Sequence, residues 1–212
     1  MKKALIIGSG FSGCVPAMLL KEKGWSVTVI EKADFVGGGV RTFLYGEHPF
    51  TYGPRHFLSP YPEAYSFLNK YVPLRDLKKI NYTYIESDQT FFTYPPHRDD
   101  IGKMAEAEQI QKELDVLPEE SHAINFETFW TQRVGETLYS KFIKHYNKRA
   151  WLLDSNTEMD FGFEATVKRK PLETGERYEF KDWYNCYPIP HDGYNRFFDI
   201  ALDECEVLLN TN

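Results

Sequence analysis

Lys3-Ala4-Leu5-Ile6-Ile7-Gly8-Ser9-Gly10-Phe11-Ser12-Gly13, with Ser26-Val27-Thr28-Val29-Ile30-Glu31 after it, is the stretch that decides the fold. Ala4 to Ile7 is a short apolar run closed by glycine, and Ser26 to Ile30 is rich in β-branched residues, so both read as buried parallel strands. Between them, Cys14 to Lys23 carries Val15, Met18 and Leu19 and ends in Lys21, Glu22 and Lys23 before Gly24, which predicts a crossover helix. The unit is βαβ. Gly8, Gly10 and Gly13 form a G-x-G-x-x-G directly after a strand and at a helix start, the context in which such glycines let a pyrophosphate approach the backbone and the positive helix end. Glu31, with Lys32 beside it, closes the second strand 18 residues after Gly13. A carboxylate there accepts hydrogen bonds from both ribose hydroxyls and disfavours a 2′-phosphate.

Gly37-Gly38-Gly39 begins six residues beyond Glu31. A second glycine loop lets more backbone approach a diphosphate, and this extended pattern resembles the glutathione-reductase and amine-oxidase-like flavoproteins, which implies FAD rather than NAD as the resident cofactor. Gly38 and Gly39 are the contacts expected from it, and Arg41 follows as a group able to neutralise the diphosphate or to stand solvated at the surface.

The rest of the composition narrows the class. The 212 residues are 42% hydrophobic and 16% aromatic, enough for one or two cored domains. With 25 basic and 31 acidic side chains the formal charge is −6, and no run of five like charges offers a nucleic-acid arm or a polybasic membrane patch. Ala4–Ile7 is far shorter than the roughly 20 residues of a bilayer span, and the N-terminus lacks a signal-peptide core, so a soluble, cytoplasmic chain with no membrane insertion is expected. Cys14, Cys186 and Cys205 include no C-x-x-C pair, and buried reduced thiols are expected of all three. No Ser-His-Asp spacing and no metal-ligand cluster stands out; His122 and Glu119-Glu120 read as solvated loop groups.

From Lys79 the pattern changes. Ile80, Tyr82 and Tyr84 alternate with polar partners, Ser87-Asp88-Gln89 supplies a turn, and Thr90 to Tyr94 resumes an extended pattern, together a hairpin. Met104, Ala107, Ile110, Leu114 and Leu117 then recur at helical spacing, as do Phe126, Phe129, Trp130 and Val134 before Gly135, and a third run follows with Leu138, Phe142, Ile143 and Tyr146. Residues 76–183 are therefore expected to form a mainly helical substrate domain inserted into an α/β, Rossmann-like FAD-binding domain of 1–75 and 184–212. Phe197 to Leu202 predicts an amphipathic helix and Glu206 to Leu209 a strand, and a sheet strand so near the last residue suggests a native protein that continues further.

At Tyr52-Gly53-Pro54-Arg55-His56-Phe57, Val134-Gly135-Glu136-Thr137-Leu138-Tyr139, Phe142-Ile143-Lys144-His145-Tyr146 with Trp151 five residues on, and Ile189-Pro190-His191-Asp192-Gly193-Tyr194, the chain resembles the UDP-galactopyranose mutases. The resemblance implies an isomerisation between the pyranose and furanose forms of a UDP-sugar, carried mainly by reduced FAD, with NAD(P)H as external reductant. The protein then positions and screens the reactants. It puts Tyr146 against the uracil with Phe142 beside it, Trp151 at the sugar and Asn81 at the nucleotide. Arg169 falls on a diphosphate-closing loop, at the cost of an inserted stretch. Tyr178 and Tyr184 compete for a diphosphate-contacting tyrosine. Where many members carry a histidine beside the flavin this chain has Arg55, with His56 one residue later, and either offers a positive charge or donor to the ring. Two alternatives come with the reading: a non-catalytic FAD- and nucleotide-binding fragment, and an amine-oxidase-like flavoprotein oxidase. Sequence leaves the sugar and any homo-oligomer open.

Overall fold

Residues 1–120, 122–160, 171–178 and 180–212 are described in the structure, a computed structural model. The chain divides into two compact units, one of Met1–Leu77 with Asp182–Asn212 and the other of Lys78–Lys181.

In the first unit, strand β1 (Lys3–Ile7) runs into helix α1 (Phe11–Glu22) and then strand β2 (Ser26–Ile30). β1 pairs parallel with β2 from Lys3↔Ser26 to Ile7↔Ile30, and β10 (Glu206–Leu208) pairs parallel with the other edge of β2. Val27 and Val29 of β2 are buried with Cys14, Ala17 and Met18 of α1 and with Phe197, Phe198, Ala201 and Leu202 of helix α6 (Asn195–Leu202). Burying each large side chain of this set contributes about 1.5–3 kcal/mol. Phe11 knits the helices together, its ring centroid 5.0–5.2 Å from those of Tyr194, Phe197 and Phe198. Leu5 and Ile7 are 63% and 82% exposed rather than buried, because side chains alternate along a strand and α1 and α6 pack on the face that carries Ala4 and Ile6. The same unit holds an aromatic hairpin, β3 (Phe43–Tyr45) with β4 (His48–Phe50), and the antiparallel strands β5 (Phe57–Ser59), β9 (Tyr184–Pro188) and β6 (Leu74–Asp76) with β9 in the middle. Helix α2 (Pro62–Asn69) follows β5.

In the second unit, β7 (Asn81–Ile85) and β8 (Thr90–Tyr94) form an antiparallel hairpin from Asn81↔Tyr94 to Ile85↔Thr90, its turn closed by Gln89 at φ 51°. Helices α3 (Ala107–Asp115), α4 (Phe126–Tyr139) and α5 (His145–Trp151) follow, with a π-helical turn, Ser140–Lys144, joining α4 to α5. Asn125 caps α4 by accepting the Thr128 N–H at 2.9 Å, and Thr128 Oγ1 accepts the Asn125 N–H in return. The core is Phe92, Ile110, Phe126, Trp130, Leu138 and Tyr139 with their neighbours. A cluster around the buried Asp100 braces the hairpin: Arg177 Nη1 donates to Asp100 Oδ2 and Thr93 Oγ1, each at 2.6 Å, while Lys103 holds Asp100 Oδ1. No helix among the described residues is long and apolar enough to cross a membrane.

Candidate functional site

The glycines of the first unit divide the labour of one turn. Gly8, at φ +91°, carries the chain out of β1 while its N–H still donates to Ile30 O at 2.8 Å. A Cβ on Gly13 would collide with the Gly8 carbonyl oxygen, so only glycine lets α1 start this close to the strand. Gly10 is different: its backbone is extended, and a Cβ there would meet nothing within 4 Å. The space stands at the N-terminal, positive end of α1. The second glycine loop closes on the first, for Gly37 N–H donates to Ser9 O at 2.9 Å and Gly38 lies against the Gly10 Cα. Gly53 N–H in turn donates to Gly39 O, with no room for a side chain on Gly53.

Glu31 sits at the end of β2 as the spacing predicts, yet its partners were not legible. Oε2 accepts the Ser9 N–H at 2.8 Å and the Ser9 hydroxyl at 2.7 Å, and Oε1 accepts the Ala33 N–H at 2.9 Å. Burial opposes ionisation, but the donors of Ala33 and Ser9 outweigh it and hold the carboxyl below its ordinary range. Lys32 is exposed. The Arg41 guanidinium reaches Asp199 on α6 at 3.4 Å, and its backbone bridges to Gly193. Arg55 Nη2 donates to the carbonyls of Pro190 and His191 at 3.1 and 3.3 Å, while its Nε is buried without a partner among the described residues. His56 binds Asn185 Oδ1 through Nε2 and stacks on Tyr187 at 5.5 Å. Arg55 and His56, adjacent in sequence, thus take different neighbours. Asn195, which nothing in the sequence singled out, clamps Thr42 by accepting its N–H and donating to its carbonyl, both at 2.9 Å.

The second unit holds a cleft of about 590 Å³, a volume suited to a small ligand. The hairpin end from Thr83 to Ser87 forms one wall; Glu136, Thr137, Ser140, Lys141, Phe142, His145 and Tyr146 form the other, with Glu106 at the margin. Phe142 is 4% exposed and packs edge-on to Phe92 at 6.1 Å, so it is core as well as lining, whereas Tyr146 is 66% exposed. Lys141 is nearly buried and ion-paired with Asp88 Oδ1 at 2.7 Å and with Glu106. Desolvation works against the ammonium, but these carboxylates prevail and raise its pKa.

The π-turn is held from both ends. Asn156 Nδ2 donates to Lys144 O at 3.0 Å and to Tyr139 Oη at 2.7 Å, and Asn147 Nδ2 donates to Ile143 O at 3.1 Å. Upstream, Gly135 departs from helical geometry at φ 81°, ψ 166°, and Glu113 of α3 caps the restart, accepting the Thr137 N–H at 2.8 Å and its hydroxyl at 2.7 Å.

The remaining candidates scatter. Asn81 opens β7 outside the cleft lining, and Trp151 ends α5, half exposed and also outside it. Tyr178 lies in the second unit with the Lys78 ammonium 5.1 Å from its ring centre, but Tyr184 lies in the first, on β9, stacked on Tyr65 at 4.3 Å. Two residues read as rivals for one role therefore belong to different units. Arg169 lies outside the described residues. Among the described residues no group of His, Cys, Asp and Glu is arranged to hold a metal ion. The three thiols are free, Cys14 and Cys186 buried and Cys205 only half-buried.

Residues 6–71 match a family described as NAD(P)-binding Rossmann-like domain. Over 96% of its length the chain is 29% identical to the dTDP-fucopyranose mutase of Escherichia coli, of which it covers 54%. Over 95% of its length it is 25% identical to the probable UDP-galactopyranose mutase of Klebsiella pneumoniae, of which it covers 53%. A crystal structure of reduced UDP-galactopyranose mutase superposes over 99% of the chain with a TM-score of 0.75 at 20% identity, the chain covering 48% of it, and shares the fold. The chain spans about half the length of the curated relatives it matches. Over nearly its whole length the chain is thus similar to proteins named dTDP-fucopyranose mutase and probable UDP-galactopyranose mutase, with a Rossmann-like match at its N-terminus.

Proposed function

We propose that this chain carries the cofactor-binding and nucleotide-binding parts of a flavin-dependent mutase interconverting UDP-galactopyranose and UDP-galactofuranose, or the N-acetylated or a related nucleotide sugar. The cofactor role falls to residues 1–75 and 184–212 and the nucleotide-sugar role to 76–183. The observation that carries the reading is the cleft of the second unit, where Tyr84, Phe142 and Tyr146 offer aromatic surface beside the hydroxyls of Thr137 and Ser140. Flat rings hold a nucleobase by stacking, worth about 1–3 kcal/mol per base.

The first unit fits FAD on its own geometry. Gly10 leaves open space at the positive end of α1 for a diphosphate, the Glu31 carboxylate stays ionised to accept ribose hydroxyls, and the buried Arg55 Nε lacks an acceptor among the described residues. When bound, reduced FAD would supply the nucleophilic chemistry of the isomerisation. The protein's own side chains orient and shield: Tyr146 and Phe142 hold the base, and Arg55, anchored on Pro190 and His191, keeps one N–H for the cofactor. Trp151, Asn81, Tyr178 and Arg169 are proposed as further substrate contacts, Tyr184 and His56 as contacts from the first unit, and Lys32, Gly38, Gly39 and Arg41 as cofactor contacts. Because the net reaction is an isomerisation, reducing equivalents from NAD(P)H prime the enzyme without being consumed. The proposed setting is the cytoplasm, with the product feeding cell-surface polysaccharide.

Isothermal titration of the FAD-loaded protein with UDP tests the reading. Saturable binding is expected, weakened by about 1–3 kcal/mol in Tyr146→Ala. Equal affinity in the two proteins would remove the cleft as its support.

A further inference from the structure

We infer that Ser9 is a positioning residue for the cofactor, its hydroxyl setting the Glu31 carboxylate in the orientation that receives the adenosine ribose, an inference that rests on the FAD reading of the first unit. The two residues lie 22 apart in sequence, and both groups that Ser9 donates end on one atom. Glu31 Oε2 accepts the Ser9 N–H at 2.8 Å and the Ser9 hydroxyl at 2.7 Å, while Oε1 accepts the Ala33 N–H at 2.9 Å. A glutamate carboxylate otherwise turns broadly about its last torsion, so two donors on one oxygen and one on the other fix the plane of the group before any ligand arrives. A ribose diol then meets an acceptor that has already lost its rotational freedom, and the complex is spared the cost of ordering it.

Ser9 is itself held by its main chain. Its carbonyl accepts the Gly37 N–H at 2.9 Å and the Cys14 Sγ–H at 3.1 Å, so the residue is tied to the second glycine loop and to helix α1 as well as to the end of β2. Ser9 is fully buried whereas Glu31 is half-buried, which places the serine behind the carboxylate, out of a ligand's reach. It therefore acts on the ribose only through Glu31. A hydroxyl bonded to a carboxylate is a charge-assisted contact, stronger than one between neutral groups. The bonds from the Ser9 N–H and to its carbonyl survive replacement by alanine, so Ser9→Ala removes one donor from Oε2 and keeps the turn.

ADP and 2′,3′-dideoxy-ADP are titrated against FAD for the flavin site of the protein; ADP offers the ribose hydroxyls and the dideoxy analogue does not. In the parent, ADP is expected to bind about tenfold more tightly than dideoxy-ADP. Ser9→Ala is expected to cut that preference to about threefold by weakening ADP alone, with dideoxy-ADP unchanged. Ser9→Cys, which keeps a weaker donor in the same place, is expected to fall between the two. Equal losses for both ligands in these variants would make Ser9 a support of the turn and overturn the inference, as would an ADP preference unchanged from the parent. A parent that binds FAD yet does not distinguish ADP from dideoxy-ADP overturns the inference and leaves the FAD reading standing. A parent that binds no FAD overturns both.

Discussion

Gly10 and Gly13 stand three residues apart and play opposite parts. Gly13 is needed by the fold, because a Cβ there runs into the Gly8 carbonyl, and Gly10 is free in the fold, because nothing lies within 4 Å of its missing Cβ. Gly13→Ala should therefore destabilise the first unit by about 1–3 kcal/mol, the cost of overpacking. Gly10→Val should melt close to the parent yet lose FAD, as checked by thermal denaturation beside flavin absorbance after gel filtration. Asp100 gives a residue-scale prediction in the second unit. Burial disfavours its carboxylate, but Arg177, the Thr93 N–H and Lys103 win and hold its pKa at about 2. A folded-state pKa below the unfolded value gives stability that is complete above pH ~4 and is lost as pH falls toward 2. Asp100→Asn should thus lower unfolding stability by about 2 kcal/mol at pH 7 and by progressively less below pH 4, measured by urea titration across pH. The sequence made the glycines legible, since their spacing is a local code for one turn. Ser9, which gives Glu31 two donors across 22 residues, was not legible, because a lone serine carries no such code.

At the scale of elements, helix α4 teaches the limits of periodicity. Apolar spacing ends the run at Val134 before Gly135, and the structure does break there, but the helix resumes and continues to Tyr139. What permits the resumption is Glu113, 24 residues upstream, whose carboxylate supplies the cap that the chain itself lacks. Burial opposes its ionisation, and the Thr137 and Glu136 donors overcome this and lower its pKa. Gly135→Ala puts a Cβ 2.7 Å from Glu113 Oε2 in a backbone region that side chains rarely adopt. It should cost about 1–3 kcal/mol in unfolding stability and weaken UDP binding together, because the displaced segment carries the cleft wall. The hairpin of β7 and β8 was legible from alternation and its turn residues alone. The π-turn was not, for a five-residue step arises from side-chain carbonyl bonds such as Asn156 to Lys144 that join distant positions.

The whole molecule is two cores on one chain, and all three thiols belong to the first. Burial pushes Cys14 up to about 12, with Cys205 and Glu31 adding to it, and burial with Asp76 pushes Cys186 up to about 12. Thiolate is the reactive form, so Ellman's reagent at pH 8 should label Cys14 and Cys186 only as denaturant opens that unit. Prompt labelling of both in native protein would contradict the packing. The first unit's α/β character is readable from a single βαβ stretch because each of its signals is local. The second unit's cleft became legible only through the resemblance, since Phe142 and Tyr146 at helical spacing look like core, and one of them is. The proposed activity is a change of sugar ring. FAD-loaded protein reduced with dithionite is incubated with UDP-galactopyranose and, separately, dTDP-fucopyranose, and the products are resolved by chromatography. A furanose peak is expected from one of them; both sugars remaining pyranose in protein that holds FAD and binds UDP would contradict the mutase reading.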